Sequence, residues 1–171
     1  MKIILLLLSS LIILGFAGGD VFAQKRKITI ILVRHAEKDI SDGGTSSDPN
    51  LSAEGRLRAQ RFARLIKKYK PRRIYSTNYK RSVQTVAPLS ERRKLRIQLY
   101  DPQKLSELAA QITSFKKGRR IVIVGHSNTV PALANLLVKE NRYKNLAETE
   151  HNKIWIIRIK KGKIRAKVIE F

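Results

Sequence analysis

From Lys27 onward the chain alternates unbroken apolar runs with amphipathic ones. "KITIILV" reads as a buried strand. It is followed by "LSAEGRLRAQRFARLIKKY", whose Leu57, Phe62, Ala63, Leu65 and Ile66 fall on one side of a helix, with Ser52 as its N-cap. "RRIYST" predicts a second strand and "SVQTVAPLSER" a helix broken at Pro88. "LRIQLY" predicts a third strand. In "DPQKLSELAAQITSF", Asp101 is expected to cap a helix that has Pro102 in its first turn. "RRIVIVGHS" supplies a fourth strand, "TVPALANLLVKE" a fourth helix, and "NKIWIIRIKKGKIRAKVIEF" a hairpin turning at Lys161-Gly162.

Strand followed by helix, repeated four times, requires right-handed crossovers. The expected fold is therefore three-layer α/β/α with a mainly parallel central sheet, to which the C-terminal hairpin adds antiparallel strands. Neither an internal repeat nor an interdomain linker interrupts residues 24–171, which read as one domain. One long loop, "EKDISDGGTSSDPN", follows the first strand directly and is expected to be either a mobile lid or disordered.

The first residues follow a different pattern. "MKIILLLLSSLIILGFAGGDVFAQ" has Lys2 at its start, an apolar stretch from Ile3 to Phe16, and Val21-Phe22-Ala23 as a small-residue cleavage pattern. The apolar run is shorter than the roughly 20 residues that span a bilayer, and Asp20 interrupts its extension. Residues 1–23 are therefore read as a signal peptide, with a retained anchor as the alternative, and the mature chain as periplasmic or secreted.

Composition narrows the picture further. At 171 residues and 43% hydrophobic content, the chain can build one real core. There is no cysteine, so neither a disulfide nor a thiol nucleophile is available. The 36 Lys and Arg against 13 Asp and Glu give a net charge of +23. Such an excess points to anionic partners and says nothing about fold.

The chemistry sits where the strands end. In an open α/β sheet the carboxyl ends of the strands form the ligand crevice, and Arg34-His35 and Gly125-His126 fall at two such ends. Arg81 lies just beyond a third. Two arginines, two histidines and helix N-termini around one crevice suit a doubly charged oxyanion. The same arginines would repel a cation, so no metal site is expected.

"LVRHAEK", "YSTNYKRSVQT" and "VGHSNT", in that order after three strands, resemble the histidine phosphatase superfamily, also called phosphoglycerate mutase-like, in its short single-domain form. The resemblance runs from about Ile28 to Leu137. It implies that His35 is the nucleophile that takes up the phosphoryl group and that Arg34 and Arg81 grip phosphate oxygens. It also implies that His126 is the second pocket histidine and that no cofactor takes part. Ser127 and Asn128, next in the chain, are carried as substrate-binding candidates.

The general acid departs from the family pattern. Where the phytase-like branch has Asp after the second histidine, this chain has Ser127. Where the mutase-like branch has Glu after the third strand, it reads "QLYDPQKL", which makes Asp101 the candidate, with Glu107 and Glu37 behind it. Without a strong acid, good leaving groups such as phosphohistidine or aryl phosphates are favoured over alkyl phosphates.

Two functions are consistent with these residues: an exported phosphatase for a small phosphomonoester or a phosphoprotein, or a catalytically weak member that binds anionic ligands at the cell surface. The densest basic runs, "KKYKPRR", "ERRKLR" and "KKGRR", precede strands and so fall at the edge opposite the crevice. They raise the expectation of an anionic membrane or polymer surface as a partner, with no specific indication of nucleic acid.

Overall fold

A computed structural model describes residues 27–116 and 120–171. The signal-peptide reading of residues 1–23 lies outside these, as do Lys117 and Arg119 of the last basic run.

The apolar runs form the strands β1 (Lys27–Arg34), β2 (Arg73–Ser76), β3 (Ile97–Leu99), β4 (Arg120–Gly125), β5 (Lys153–Lys160) and β6 (Lys163–Glu170). The amphipathic runs form the helices α1 (Ala53–Ile66), α2 (Lys80–Arg93), α3 (Leu105–Ser114) and α4 (Thr129–Val138). All six strands join one sheet in the order β3-β2-β4-β1-β5-β6. The first four are mutually parallel; β5 runs antiparallel to β1, and β6 antiparallel to β5. The expected α/β fold with a terminal antiparallel hairpin is the fold observed.

Near-continuous burial along β1 and β4 follows from their central position, because a strand covered on both faces cannot alternate apolar with polar. Alternate residues feed two cores. Ile31, Val33, Val122, Val124 and Ile156 pack with Phe62, Ile66 and Leu89 of α1 and α2. Ile30, Leu32, Ile121, Ile123 and Ile157 pack with Ile112, Leu133 and Leu137 of α3 and α4.

Several local expectations needed correction. Leu57, assigned to the apolar side of α1, is 60% exposed, and the buried stripe is instead Gly55, Ala59, Phe62, Ala63 and Ile66. Small residues let the helix lie close to the sheet, which the choice of large apolar side chains overlooked. Ser52 does cap α1, accepting from the Gly55 N–H at 3.0 Å. Pro88 does not break α2, which continues through it to Arg93. Burial of Val86 and Leu89 on either side of the proline holds the helix to the core across the missing bond. Helix α3 begins at Leu105, not at Pro102, and Asp101 closes the turn before it.

The long loop is tied down at its base and at its far end. Lys38 and Leu51 form a β-bridge at its base, and the Asp39 N–H donates to the Asn50 carbonyl at 2.8 Å. Asp48 accepts from the Lys80 N–H at 2.9 Å, and the Gln84 side chain accepts from Leu51 and donates to Asn50, each at 2.8 Å. The loop is thereby fastened to the first turns of α2.

Candidate active site

Strands β1 and β4 lie side by side in register, with Arg34 opposite Gly125, so His35 and His126 leave the sheet together at its carboxyl edge. The His35 N–H donates to the Gly125 carbonyl at 2.9 Å, which extends the ladder by one bond and fixes where the imidazole starts. Gly125 has no room for a side chain. A Cβ there would come within 2.7 Å of the Thr129 hydroxyl and 2.8 Å of the Tyr100 hydroxyl, and that Thr129 hydroxyl accepts from the His126 N–H at 2.9 Å.

The His35 ring is held in one tautomer. Its Nδ1 lies 2.8 Å from the Ala36 carbonyl, which can only accept, so Nδ1 carries the proton and Nε2 keeps a lone pair. Burial pushes the His35 pKa down to about 3, and the neighbouring Arg81 and Arg34 charges oppose protonation further. His126, also buried and beside both arginines, is lowered to about 4. Both imidazoles are therefore neutral near pH 7. Their ring centroids are 5.5 Å apart, and His126 Nε2 meets the Thr77 hydroxyl at 3.0 Å.

Arg34 is buried, and most of its guanidinium is already engaged. Its Nη1 donates to the carbonyls of Ala147, Glu148 and Glu150 at 2.7, 3.0 and 3.3 Å, and its Nη2 to the Glu148 carboxylate at 2.9 Å. The buried Nε has no partner among the described residues. Arg81 projects from the first turn of α2, stacks over Tyr79 at 4.4 Å and pairs with Asp48 at 3.6 Å. Tyr79 in turn meets His126 edge-on, centroids 5.0 Å apart.

A cavity of about 400 Å³ gathers Arg34, His35, Arg81, His126, Ser127 and Asn128, together with Lys38, Tyr79, Gln103, Thr129 and Glu148. All the pocket residues expected from the sequence therefore line one space, except Asp101. Its carboxylate accepts from the Gln103 N–H at 2.9 Å and does not line the cavity, although Pro102 and Gln103 beside it do. Glu107 pairs with Lys104 on the surface, and Glu37 bonds Arg58 at 2.6 Å. Burial alone would raise the Glu37 carboxyl, but its bonds from Arg58 hold it below the usual range. A larger concavity of about 510 Å³ lies between α1 and α2, lined by Asp39, Asn50, Arg56, Gln84 and Glu91. It contains no histidine, so size alone does not mark the site.

Sequence reasoning missed two residues. His151, the third histidine, is buried and donates from Nδ1 to the His35 carbonyl at 2.9 Å, with its ring 5.7 Å from that of His35. Glu148 bonds Arg34 at the rim of the cavity. Both come from the connection before β5, whose "ETEHN" has no periodicity or strand-end position to single it out.

Residues 30–111 match the family model described as histidine phosphatase superfamily, branch 1. The matched segment, just under half of the chain, carries Arg34, His35 and Arg81 and is of the histidine phosphatase type. As a histidine-type phosphatase the chain shares its fold with solved structures of low sequence identity. A mycobacterial glucosyl-3-phosphoglycerate phosphatase superposes with a TM-score of 0.67 at 16% identity, covering 85% of this chain and 99% of that one. The alpha-ribazole phosphatase from Shigella flexneri gives 0.70 at 13%, covering 84% and 96%. An Agrobacterium tumefaciens protein assigned as phosphohistidine phosphatase SixA gives 0.63 at 18%, covering 84% and 98%. No curated protein matches this phosphatase in sequence.

Proposed function

We propose that this chain is an exported, cofactor-independent phosphatase that hydrolyses a phosphomonoester or a phosphohistidine through a phosphohistidine intermediate on His35. The observation that carries the reading is the single tautomer of His35, with an unprotonated Nε2 in the same cavity as Arg34, Arg81 and His126.

The steps follow from these groups. The phosphoryl oxygens take the Nε edge of Arg34 and the fork of Arg81, each able to offer paired donors. The lone pair of His35 Nε2 forms the N–P bond as the bond from phosphorus to the leaving group breaks, and the electron pair departs with that group. His126, brought against a dianion, gains a partner for its protonated form and donates from Nδ1 to a phosphoryl oxygen, since Thr77 already occupies Nε2. Water then attacks phosphorus, breaking the N–P bond and releasing phosphate. Ser127 and Asn128, at the start of α4, would contact the substrate.

Asp101 as general acid gains no support from its position, and Glu148, the carboxylate that does line the cavity, is committed to Arg34. The substrates best served therefore have leaving groups that depart without protonation, such as phosphohistidine or aryl phosphates. Export rests on the apolar leader in the sequence.

The test is rapid quench of the exported protein with labelled substrate, its mass showing whether it begins at Gln24. Acid-labile, alkali-stable label is expected on the parent and none on His35→Ala. Normal turnover by His35→Ala would sink the mechanism.

A further inference from the structure

The edge of the sheet opposite the crevice carries a second site-like feature. Strand register places Lys27 beside Lys160, and Lys160 beside Lys163; one step along, Thr29 lies between Arg120 and Arg158, with Arg158 beside Arg165. Register partners share a face of the sheet. Two rows of cations thus lie on the face that carries α1 and α2, just past the point where the core residues Ile31 and Ile156 end. Lys161 adds a further charge at the hairpin turn, and six of these cations, Lys27, Arg158, Lys160, Lys161, Lys163 and Arg165, line a concavity of about 460 Å³.

No acidic side chain lines it, and none of the six forms an ion pair or a side-chain hydrogen bond among the described residues. The seven ion pairs found there all use other cations. Like charges directly across strands destabilise a sheet, and here three such pairs adjoin. An anionic layer laid against them removes that repulsion. No acidic side chain among the described residues does so.

We infer that this hairpin face docks on anionic lipid headgroups, leaving the phosphatase crevice pointed away from the bilayer. Lipid is favoured over a soluble polyanion by how the chain enters the fold. The apolar sequence Ile3 to Phe16 leads, 11 residues later, into Lys27, which is itself a member of the cluster. Membrane insertion of the leader during export, before any cleavage, tethers the fold through Lys27, at this edge and at the end opposite the crevice. Juxtamembrane cations are each drawn to an anionic leaflet within a Debye length of it.

The test uses the full chain and two kinds of vesicle, one of phosphatidylcholine alone and one with phosphatidylglycerol added. The leader contributes equally to both, so the difference between them reports the charges. The parent should prefer the anionic vesicles by at least about tenfold at low salt, and the preference should vanish at high salt. Replacing Arg158, Lys160, Lys163 and Arg165 with Gln should remove most of it, while kcat/KM on p-nitrophenyl phosphate stays unchanged. The milder Lys160→Gln/Lys163→Gln pair covers the case in which the fourfold variant fails to fold. A control lacking Lys104, Lys139, Arg142 and Lys144 should keep the preference. The inference is overturned if that control loses as much, which would make net charge the cause. It is also overturned if the hairpin variants bind like the parent, or if heparin at matched charge competes the protein off the vesicles completely.

Discussion

At the scale of single residues the site is governed by what keeps His35 neutral. Its pKa of about 3 and that of His126 near 4 both lie far below the ordinary imidazole value, chiefly through burial. Activity requires the unprotonated His35, so the acid limb of kcat/KM should fall below about pH 4 and not near 6.5. A limb at the ordinary imidazole value would show that the ring is solvated in the working enzyme. Stability moves in the same direction. The unfolded chain takes protons at its histidines from about pH 6.5 downward while the folded one does not, so acid destabilises the fold across that window until the folded pKa values are reached. The four main pocket residues were legible because strand-end dipeptides point into a crevice on topology alone. At Asp101 the sequence left two uses open for one carboxylate, because an Asp-Pro start suits both a turn and a proton donor, and the side chain here bonds its own turn. His151 and Glu148 were illegible because only the closed sheet brings their loop onto β1.

Among the elements, α1 shows how a local preference can lose to a contact. Alanine is a better helix former than glycine by about 1 kcal/mol, so Gly55 in the first turn looks improvable from sequence. A Cβ at that position would sit 2.2 Å from the Glu37 carbonyl oxygen and 3.1 Å from two further Glu37 backbone atoms. Backbone cannot swing aside as a side-chain end can, so the helix or the segment after His35 must shift. Gly55→Ala should therefore lower the melting temperature by several degrees, the equivalent of about 1–3 kcal/mol, and reduce kcat more than it changes KM. An unchanged or raised melting temperature would show that the approach relaxes freely. Element types and order followed from periodicity, since long apolar runs bounded by amphipathic ones admit few other arrangements. The course of the loop at residues 39–50 did not, because the Lys80 backbone N–H and the Gln84 side chain of α2, remote in sequence, bond its far end.

For the molecule as a whole, charge is unevenly divided. Asp39, Asp42, Asp48, Asp101, Glu148 and Glu150 lie in loops beyond the carboxyl ends of the parallel strands, while the opposite edge carries the hairpin cations and Arg73, Lys94 and Arg120. With +23 in total, repulsion outweighs the seven ion pairs among the described residues, two of which are well exposed on both sides. Added salt should therefore raise the melting temperature, by a few degrees between 20 mM and 0.5 M sodium chloride, before any general salting-out effect enters. A fall over that range would mean that the ion pairs matter more than the repulsion. The total charge was plain in the sequence. Its arrangement in rows across β1, β5 and β6 was not, because it depends on the register of strands more than a hundred residues apart.

The position of β1 also sets the order in which the enzyme can come into being. This strand is made first and sits between β4 and β5, with Arg34 beside Gly125 and Leu32 beside Trp155. The carbonyls that cradle Arg34 belong to residues 147–150, later still than the histidine at 126. A growing chain therefore carries its nucleophile for most of its synthesis with nothing to lean on, and every ladder that would hold it spans a large loop. Termination between β4 and β5 leaves one edge of the central strand unpaired and Arg34 without the carbonyls that hold it, so full activity is expected only once the last strands have closed around the first.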